Sequence, residues 1–277
     1  MDAVVIGAGP AGLAAAAELQ RVGYKVIVID KADSVGSSWA KHYDRLHLHT
    51  SRRLSELPGR RMPRSYGQWV ARDDFRAYLA DYAAAEGLDV RLGHVVASVR
   101  WSSRGVTLRT STGAEFTADS AVVTVPVGVL QSADFAIEPA LPERHAAALS
   151  RLRMNAFEKV FLRFDRRFWD TDVYAIRQQG EEGRWWHSWY DLTALDDTPT
   201  LLTFAAGPAA TATREWTDAE VTASVMVQLR RLYGADIPDP VGIVRTDWQS
   251  DPWAGYGSYA YMTVGSDTSD HDALATP

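Results

Sequence analysis

The 277-residue chain contains no cysteine. This absence excludes disulfide bonds, thiolate ligands for a metal ion and a cysteine nucleophile. The chain also has no apolar run near the ~20 residues that a membrane-spanning helix needs. Because an apolar strand is predicted from Ala3 onward, there is no room for a secretory leader, and the sequence predicts a cytoplasmic protein.

The charge distribution argues against a nucleic acid partner. The net charge is −6, and basic residues occur in short pairs such as Arg52-Arg53 and Arg60-Arg61 rather than in a dense run. His47 and His49 alternate like a pair of metal ligands, but no third ligand is suggested nearby. We therefore expect neither a nucleic acid partner nor a metal site.

A glycine-rich turn follows the first strand. The sequence GAGPAG at residues 7–12 comes directly after the apolar run 3–6, and a helix is predicted over residues 13–22. In this context Gly7 permits a tight turn and Gly9 lets a pyrophosphate approach the backbone. Gly12 lets the helix pack close to the strand.

The flanking residues complete a candidate dinucleotide site. The N-terminus of the predicted helix, which follows Pro10 and Ala11, offers unpaired N–H groups and the positive end of the helix dipole to the phosphates. A second strand over residues 25–29 ends at Asp30, whose carboxylate can accept a hydrogen bond from a ribose hydroxyl. The alternative is an α/β turn of the same shape without a nucleotide.

The order of the remaining elements predicts an α/β fold. Strands near residues 3, 25, 88 and 120 predict a Rossmann-like parallel sheet, and residues 95–117 predict an antiparallel meander. We expect an FAD-binding domain over residues 1–126, an α+β substrate domain over 127–247 and a return segment over 248–277. One dinucleotide motif beside a distinct second domain favours a tightly held flavin over a shuttling nicotinamide.

The first ~100 residues resemble flavin-containing monooxygenases in their FAD-binding part. The matching segments are GAGPAG at residues 7–12, YDRLHLHT at 43–50, LSELPG at 54–59 and RDDF at 72–75. The chain departs from that family at Ser37-Ser38, where two glycines are usual, and at Asp30, where glutamate is usual. The resemblance, together with the turn itself, implies FAD contacts from Gly7, Gly9, Pro10, Ala11, Gly12, Asp30, Lys31, Trp39 and the backbone of Val96.

From about residue 105 the chain resembles flavin-containing amine oxidases, which include polyamine oxidases and lysine-specific histone demethylases. The matching segments are AVVTVPVGVL at 121–130, NAFEKV at 155–160, DPW at 251–253 and GSYAY at 257–261. The resemblance changes near residues 96–118, which indicates a chimera of two flavoproteins. Because that family continues with a further strand and helix where this sequence ends, the chain is interpreted as C-terminally truncated.

The second resemblance implies candidate residues for amine oxidation. It implies that Lys159 holds a water molecule against N5 of the flavin. The residues alone show a lysine in a strand, and such lysines usually face solvent. Trp253, Tyr259 and Tyr261 could form an aromatic pocket for an amine, although Tyr259 and Tyr261 share a strand face as core residues also would.

Three functional hypotheses follow. The first is an FAD-dependent oxidoreductase that moves a hydride from a small amine or polyamine to the flavin, which oxygen then reoxidises. The second is an NADPH-dependent flavin monooxygenase, for which the sequence shows no second dinucleotide-binding fold. The third is a non-catalytic remnant of a flavoprotein.

Overall fold

Two separate units make up the chain in the computed structural model, which describes residues 1–180 and 185–276. Unit 1 comprises Met1–Val125 and Ser132–Glu143, and unit 2 comprises Pro126–Gln131 and Arg144–Pro277. Residues 132–143 thus group with unit 1, and residues 248–277 group with unit 2. The functional roles assigned to the domains from the sequence stay predictions.

Unit 1 contains the expected parallel sheet. Its strands run in the order β3-β2-β1-β7, and all neighbours are parallel. They are β1 (Ala3–Ile6), β2 (Val26–Ile29), β3 (Asp89–Arg91) and β7 (Ser120–Val123). Every residue of β1 and β2 is buried, because parallel strands in such a fold are covered on both faces. The prediction of an α/β fold with a Rossmann-like sheet is confirmed.

Helices cover this sheet and the loops beside it. They are α1 (Pro10–Arg21), α2 (Ser37–Ala40) and α3 (Arg72–Ala85). Leu13 of α1 packs in one core with Phe75, Tyr78 and Tyr82 of α3. The hydroxyl of Tyr78 donates to Arg60 O at 2.7 Å and accepts from Leu57 N at 2.7 Å, so that α3 holds the long connection after α2 in place.

A second sheet of unit 1 carries the predicted meander. Its order is β6-β5-β4-β8, with antiparallel β4, β5 and β6 and with β8 parallel to β4. The strands are β4 (Val96–Ser102), β5 (Gly105–Thr110), β6 (Glu115–Ala118) and β8 (Ala136–Glu138).

Unit 2 is built on a five-stranded antiparallel sheet with the order β11-β12-β13-β10-β14. The strands are β10 (Phe157–Arg163), β11 (Ala175–Arg177), β12 (Ser188–Asp191), β13 (Thr200–Ala206) and β14 (Gly242–Arg245). Helices α4 (Val127–Leu130), α5 (Glu143–Ser150), α6 (Pro208–Thr213) and α7 (Asp218–Tyr233) accompany it. A capping box formed by Thr217 and Glu220 starts α7.

The two faces of this sheet differ. Burial alternates along β10 and β13, and the fully buried side chains pack with α7. This core face includes Val160, Leu162, Trp189 and Leu201. Because side chains alternate along a strand, the residues between them point to the other side, which we call the open face.

The C-terminal segment docks on unit 2 through a hydrogen-bonded ion pair. Strand β15 (Tyr259–Met262) pairs with β9 (Leu152–Asn155), and α8 (Thr268–Ala275) follows. Nε of Arg151 donates to both carboxylate oxygens of Asp270, at 3.0 and 2.9 Å, and Ser266 Oγ donates at 2.7 Å. Asp270 is only 2% exposed, so these donors replace the water that its carboxylate would otherwise bind.

This ion pair predicts an acid-sensitive contribution to stability. The hydrogen bonds from Arg151 and then Ser266 hold the pKa of Asp270 below its usual range. Its stabilisation is therefore complete above the unfolded value of about 3.9 and is lost as the pH falls below it. Asp270→Asn should lower Tm markedly at neutral pH, and the gap to the wild type should narrow in acid, as measured by circular dichroism.

The control for this prediction is an exposed pair in the same unit. Asp165 lies 3.6 Å from Arg166, and both side chains are more than half exposed. Asp165→Asn should barely change Tm, because exposed ion pairs contribute little. Equal effects of the two substitutions, or a gap independent of pH, would contradict the role given to Asp270.

Candidate functional site

The glycine turn of unit 1 depends on two close backbone approaches. Gly7 has φ +115°, and a Cβ there would lie 2.5 Å from Thr124 Oγ1. A Cβ on Gly12 would lie 1.8 Å from the carbonyl oxygen of Gly7. Thr124 Oγ1 donates to Ile6 O at 2.7 Å, which joins β7 to the end of β1. Only glycine at positions 7 and 12 lets α1 start this close to the sheet.

Gly9 is different, because a Cβ built there meets no atom within 4 Å. It is the N-cap residue of α1, with Pro10 in the first helical turn and no side chain capping the helix. The first N–H groups of α1 are therefore left for another acceptor. This open cradle at a helix N-terminus fits a pyrophosphate, so the residues present fit the cofactor that the sequence implied.

Asp30 ties the glycine turn to the end of β2. Its Oδ2 accepts from Ala8 N at 2.6 Å, and its Oδ1 accepts from Ala32 N at 2.8 Å. Each carboxylate oxygen keeps a further lone pair, so a ribose hydroxyl can still bind. The sequence predicted the ribose contact alone, because the tie depends on how the turn folds back over β2.

The other predicted cofactor residues, Lys31, Trp39 and Val96, differ in how far they are buried. Lys31 is exposed. Trp39 is partly buried and packs edge-on against Phe75, with ring centroids 4.8 Å apart. His94 N donates to Asp30 O at 2.8 Å, which brings the chain entering β4 at Val96 beside the end of β2. Their contacts with FAD stay predictions.

Lys159 lies on the open face of the unit 2 sheet. Its strand β10 is flanked by β13, where Phe204 is its partner, and by β14. Lys159 is half-buried and alternates with the buried side chains of Glu158 and Val160. It therefore projects among half-buried apolar residues rather than into the core.

Aromatic rings form a continuous row on this open face, which we call the aromatic row. Tyr259 contacts Phe157 with ring centroids 6.0 Å apart, and Phe157 contacts Phe204 at 5.0 Å. Tyr190 then packs edge-on against Phe204 and against Tyr174, both at 5.6 Å. These distances are typical of favourable aromatic pairs.

Sequence reasoning found only one member of this row, Tyr259. The other two predicted pocket residues are Trp253, in the turn Pro252–Ala254, and Tyr261, in β15. All three are exposed, Tyr259 at 59%, Tyr261 at 47% and Trp253 at 43%. Phe157 and Phe204 were missed. No spacing in the sequence indicates them, because they meet across the neighbouring strands β10 and β13.

Lysine is rare in this chain, and this rarity is a feature of the sequence that could have singled out Lys159. The 29 basic residues are 25 arginines and only four lysines, namely Lys25, Lys31, Lys41 and Lys159. Arginine therefore serves almost everywhere that a positive surface charge is needed. Lys159 is the one lysine after residue 41, and an ammonium group differs from a guanidinium in size, hydration and ease of deprotonation.

No metal or membrane feature is found in residues 1–180 and 185–276. None of the helices there is long and apolar enough to cross a membrane. No group of three or more histidine, aspartate or glutamate side chains in this part of the chain could hold a metal ion.

The fold and the glycine cradle define a dinucleotide-binding α/β protein. A family model described as an NAD(P)-binding Rossmann-like domain matches residues 5–60, and one described as flavin containing amine oxidoreductase matches residues 59–277. The chain belongs to the flavin-containing amine oxidoreductase family, and FAD is the cofactor of that family. The match to this family begins earlier than the expected residue 105.

The chain is also similar to individual known proteins. A possible lysine-specific histone demethylase 1 from Drosophila melanogaster is 30% identical over 279 residues, which cover 91% of this chain and 30% of the relative. Wild-type putrescine oxidase bound to putrescine is 19% identical, with a TM-score of 0.61, over 95% of this chain and 88% of that one. A flavin-containing monooxygenase from Stenotrophomonas maltophilia is 32% identical over 44% of this chain and 37% of that one, with a TM-score of 0.42.

The curated relatives are much longer than the matched part. The chain spans between 13% and 38% of the length of the curated relatives. The putrescine oxidase likeness shows the shared fold.

Two glycine substitutions should separate cofactor binding from folding. Gly9→Ala adds a methyl group to open space in the cradle, so the unliganded protein should lose less than about 1 kcal/mol of stability. Its affinity for FAD should fall at least about tenfold, which corresponds to 1.4 kcal/mol. Flavin fluorescence quenching measures the affinity, and thermal unfolding measures the stability.

Gly12→Ala is the matched substitution, and it should affect stability rather than the open space at the cradle. Its methyl group would collide with the backbone of Gly7, and the unliganded protein should lose about 3 kcal/mol or more. FAD binding by Gly9→Ala at the wild-type affinity would show that the cradle does not hold the phosphates.

Proposed function

We propose that this chain binds FAD through unit 1 and oxidises a small amine at the open face of unit 2. The observation that carries the proposal is Lys159, half-buried beside Phe204 and the aromatic row. Membership of the flavin-containing amine oxidoreductase family and the open cradle at Gly9 support it. The proposal covers this chain, which is shorter than the curated relatives.

The residues of unit 1 have separate tasks in holding the cofactor. The N–H groups at the start of α1, next to Gly9 and Pro10, would bind the pyrophosphate. Asp30 would accept a ribose hydroxyl while keeping its hydrogen bonds to Ala8 and Ala32. When bound, FAD supplies the two-electron acceptor for the carbon next to the amine nitrogen.

The open face of unit 2 would bind and orient the amine. Aromatic faces attract cations, so the aromatic row favours an amine over a neutral or anionic molecule. Three rings of the row, Phe157, Phe204 and Tyr190, are half-buried and would exclude water from bound substrate. The Lys159 side chain can donate a hydrogen bond to a water molecule on this face.

The proposed substrate class is a small aliphatic amine or polyamine. Two relatives act, by their names, on amines: the demethylases on lysine and putrescine oxidase on putrescine. An aliphatic chain with cationic nitrogens matches a row of rings about 5–6 Å apart, since each ring can contact a methylene or a cationic group. No nucleic acid partner is proposed, and the cytoplasmic location remains a sequence prediction.

The test is FAD reconstitution followed by a peroxide assay across a panel of amines. The proposal predicts amine-dependent peroxide release that saturates with a di- or polyamine. Bleaching of the flavin by NADPH instead would favour the monooxygenase hypothesis. A protein that stays colourless after reconstitution and desalting would favour the remnant hypothesis.

Lys159→Ala should lower kcat for amine oxidation by about 100-fold or more, as for loss of a group that moves or holds a proton. FAD loading should be unchanged, because unit 1 carries the predicted cofactor contacts. Stopped-flow absorbance separates flavin reduction from reoxidation and shows which step slows.

The matched control is Arg163→Ala. Arg163 is on the same face of β10 four residues away, and its side chain is 56% exposed. We expect this variant to turn over amines at nearly the wild-type rate. Unchanged kinetics in Lys159→Ala would remove Lys159 from the mechanism.

A further inference from the structure

Strand β14 stops pairing with β10 at the position of Lys159. The last regular pair of the two strands is Val160 with Arg245. One residue further, Thr246 N donates to Lys159 O at 3.0 Å. The returning hydrogen bond is unusual, because Lys159 N donates to the side-chain Oγ1 of Thr246 at 2.8 Å. A threonine hydroxyl thus holds the backbone of Lys159 where the chain leaves the sheet.

Glu158 holds that hydroxyl from the core face. Thr246 Oγ1 donates to Glu158 Oε2 at 2.5 Å. The other oxygen, Oε1, accepts from Trp248 N at 2.9 Å and from Gln249 N at 3.2 Å. Glu158 is 5% exposed, so the loss of the Thr246 hydroxyl would remove the donor to a buried Oε2.

These bonds form a chain from the core to the open face. The acceptor Glu158 orients the hydroxyl of Thr246 so that its lone pair faces Lys159 N. Both the N–H and the C=O of Lys159 are then fixed by Thr246. Since the backbone sets the direction of the Cα–Cβ bond, this pair determines where the lysine side chain starts on the open face.

We propose that Thr246 and Glu158 are positioning residues that aim Lys159. Neither has to touch substrate or cofactor: Glu158 lies on the opposite face of the strand, and Thr246 acts through its hydroxyl. The catalytic consequence rests on the proposed amine oxidation, whereas the positioning is a property of unit 2 that can be measured without any substrate.

The scarcity of lysine makes the positioning directly observable. Selective ¹³C labelling of lysine gives signals from four residues, and Lys159 is the one that belongs to unit 2. Lys159→Ala assigns its signal in the NMR spectrum. Lys25, Lys31 and Lys41 serve as internal references within the same sample.

Thr246→Val keeps the shape of the side chain and removes its hydroxyl. We expect the Lys159 signal to shift and broaden while the three reference signals stay in place. With FAD-loaded protein and an amine, kcat should fall about 10- to 100-fold with KM little changed, as expected when a reacting group is misplaced. Thr246→Ser, which restores a hydroxyl, should recover the signal and the rate.

Glu158→Gln provides a second variant that keeps the side-chain size. Its amide oxygen can still accept from Trp248 N and Gln249 N, but its NH₂ group faces the hydroxyl of Thr246 as a donor. The hydroxyl must then turn, and the Lys159 signal should shift as in Thr246→Val. This variant decides the question if Thr246→Val does not fold.

Thr203→Val is the control for a purely structural effect. Thr203 is fully buried in β13 of the same sheet, and its hydroxyl donates to Ser188 O at 2.9 Å. This variant should lower Tm to a similar extent without moving the Lys159 signal. If Thr246→Val, or Glu158→Gln in its place, leaves that signal unchanged, or if Thr203→Val moves it equally, the proposal is overturned.

The two proposals fail in different ways. A wild-type protein that oxidises no amine would refute the proposed function, while the NMR comparison would still decide the positioning role. If the protein oxidises amines but Thr246→Val changes neither the Lys159 signal nor kcat, the positioning role alone is refuted.

Discussion

The glycine turn of unit 1 depends on the close approach of Gly12 to the carbonyl of Gly7. Any side chain at Gly12 would overlap that carbonyl, so α1 can begin at the end of β1 only because both positions are glycine. The rest of the cradle follows from this contact. It places the uncapped start of α1 beside the end of β2, where Asp30 fastens the turn, and it leaves Gly9 facing open space.

In unit 2, hydrogen bonds hold the backbone of Lys159 at a fixed place among the apolar side chains of the open face. The period of two along β10 puts Glu158 in the core and Lys159 on the open face. Backbone donors and a threonine hydroxyl satisfy the buried carboxylate, and the same hydroxyl holds the backbone of the lysine. The polar core interaction and the candidate reactive group therefore belong to one hydrogen-bonded chain.

Local patterns in the sequence predicted those parts of the fold that depend on neighbouring residues. The glycine turn was visible because it needs glycine at fixed short spacing, and the first strands were visible as short apolar runs. The aromatic row was missed because Phe157, Phe204 and Tyr190 meet through the lateral order of three strands, which residue spacing does not encode. The bond from Thr246 to Glu158 joins residues 88 positions apart and was hidden for the same reason.

The account as a whole requires that a flavin held by this chain accepts electrons from an amine. The most direct measurement is the visible absorption spectrum of FAD-loaded protein after anaerobic mixing with a diamine or, separately, with NADPH. The account predicts that the flavin band bleaches with the diamine and stays with NADPH. A band that persists with every amine, or that bleaches only with NADPH, would contradict it.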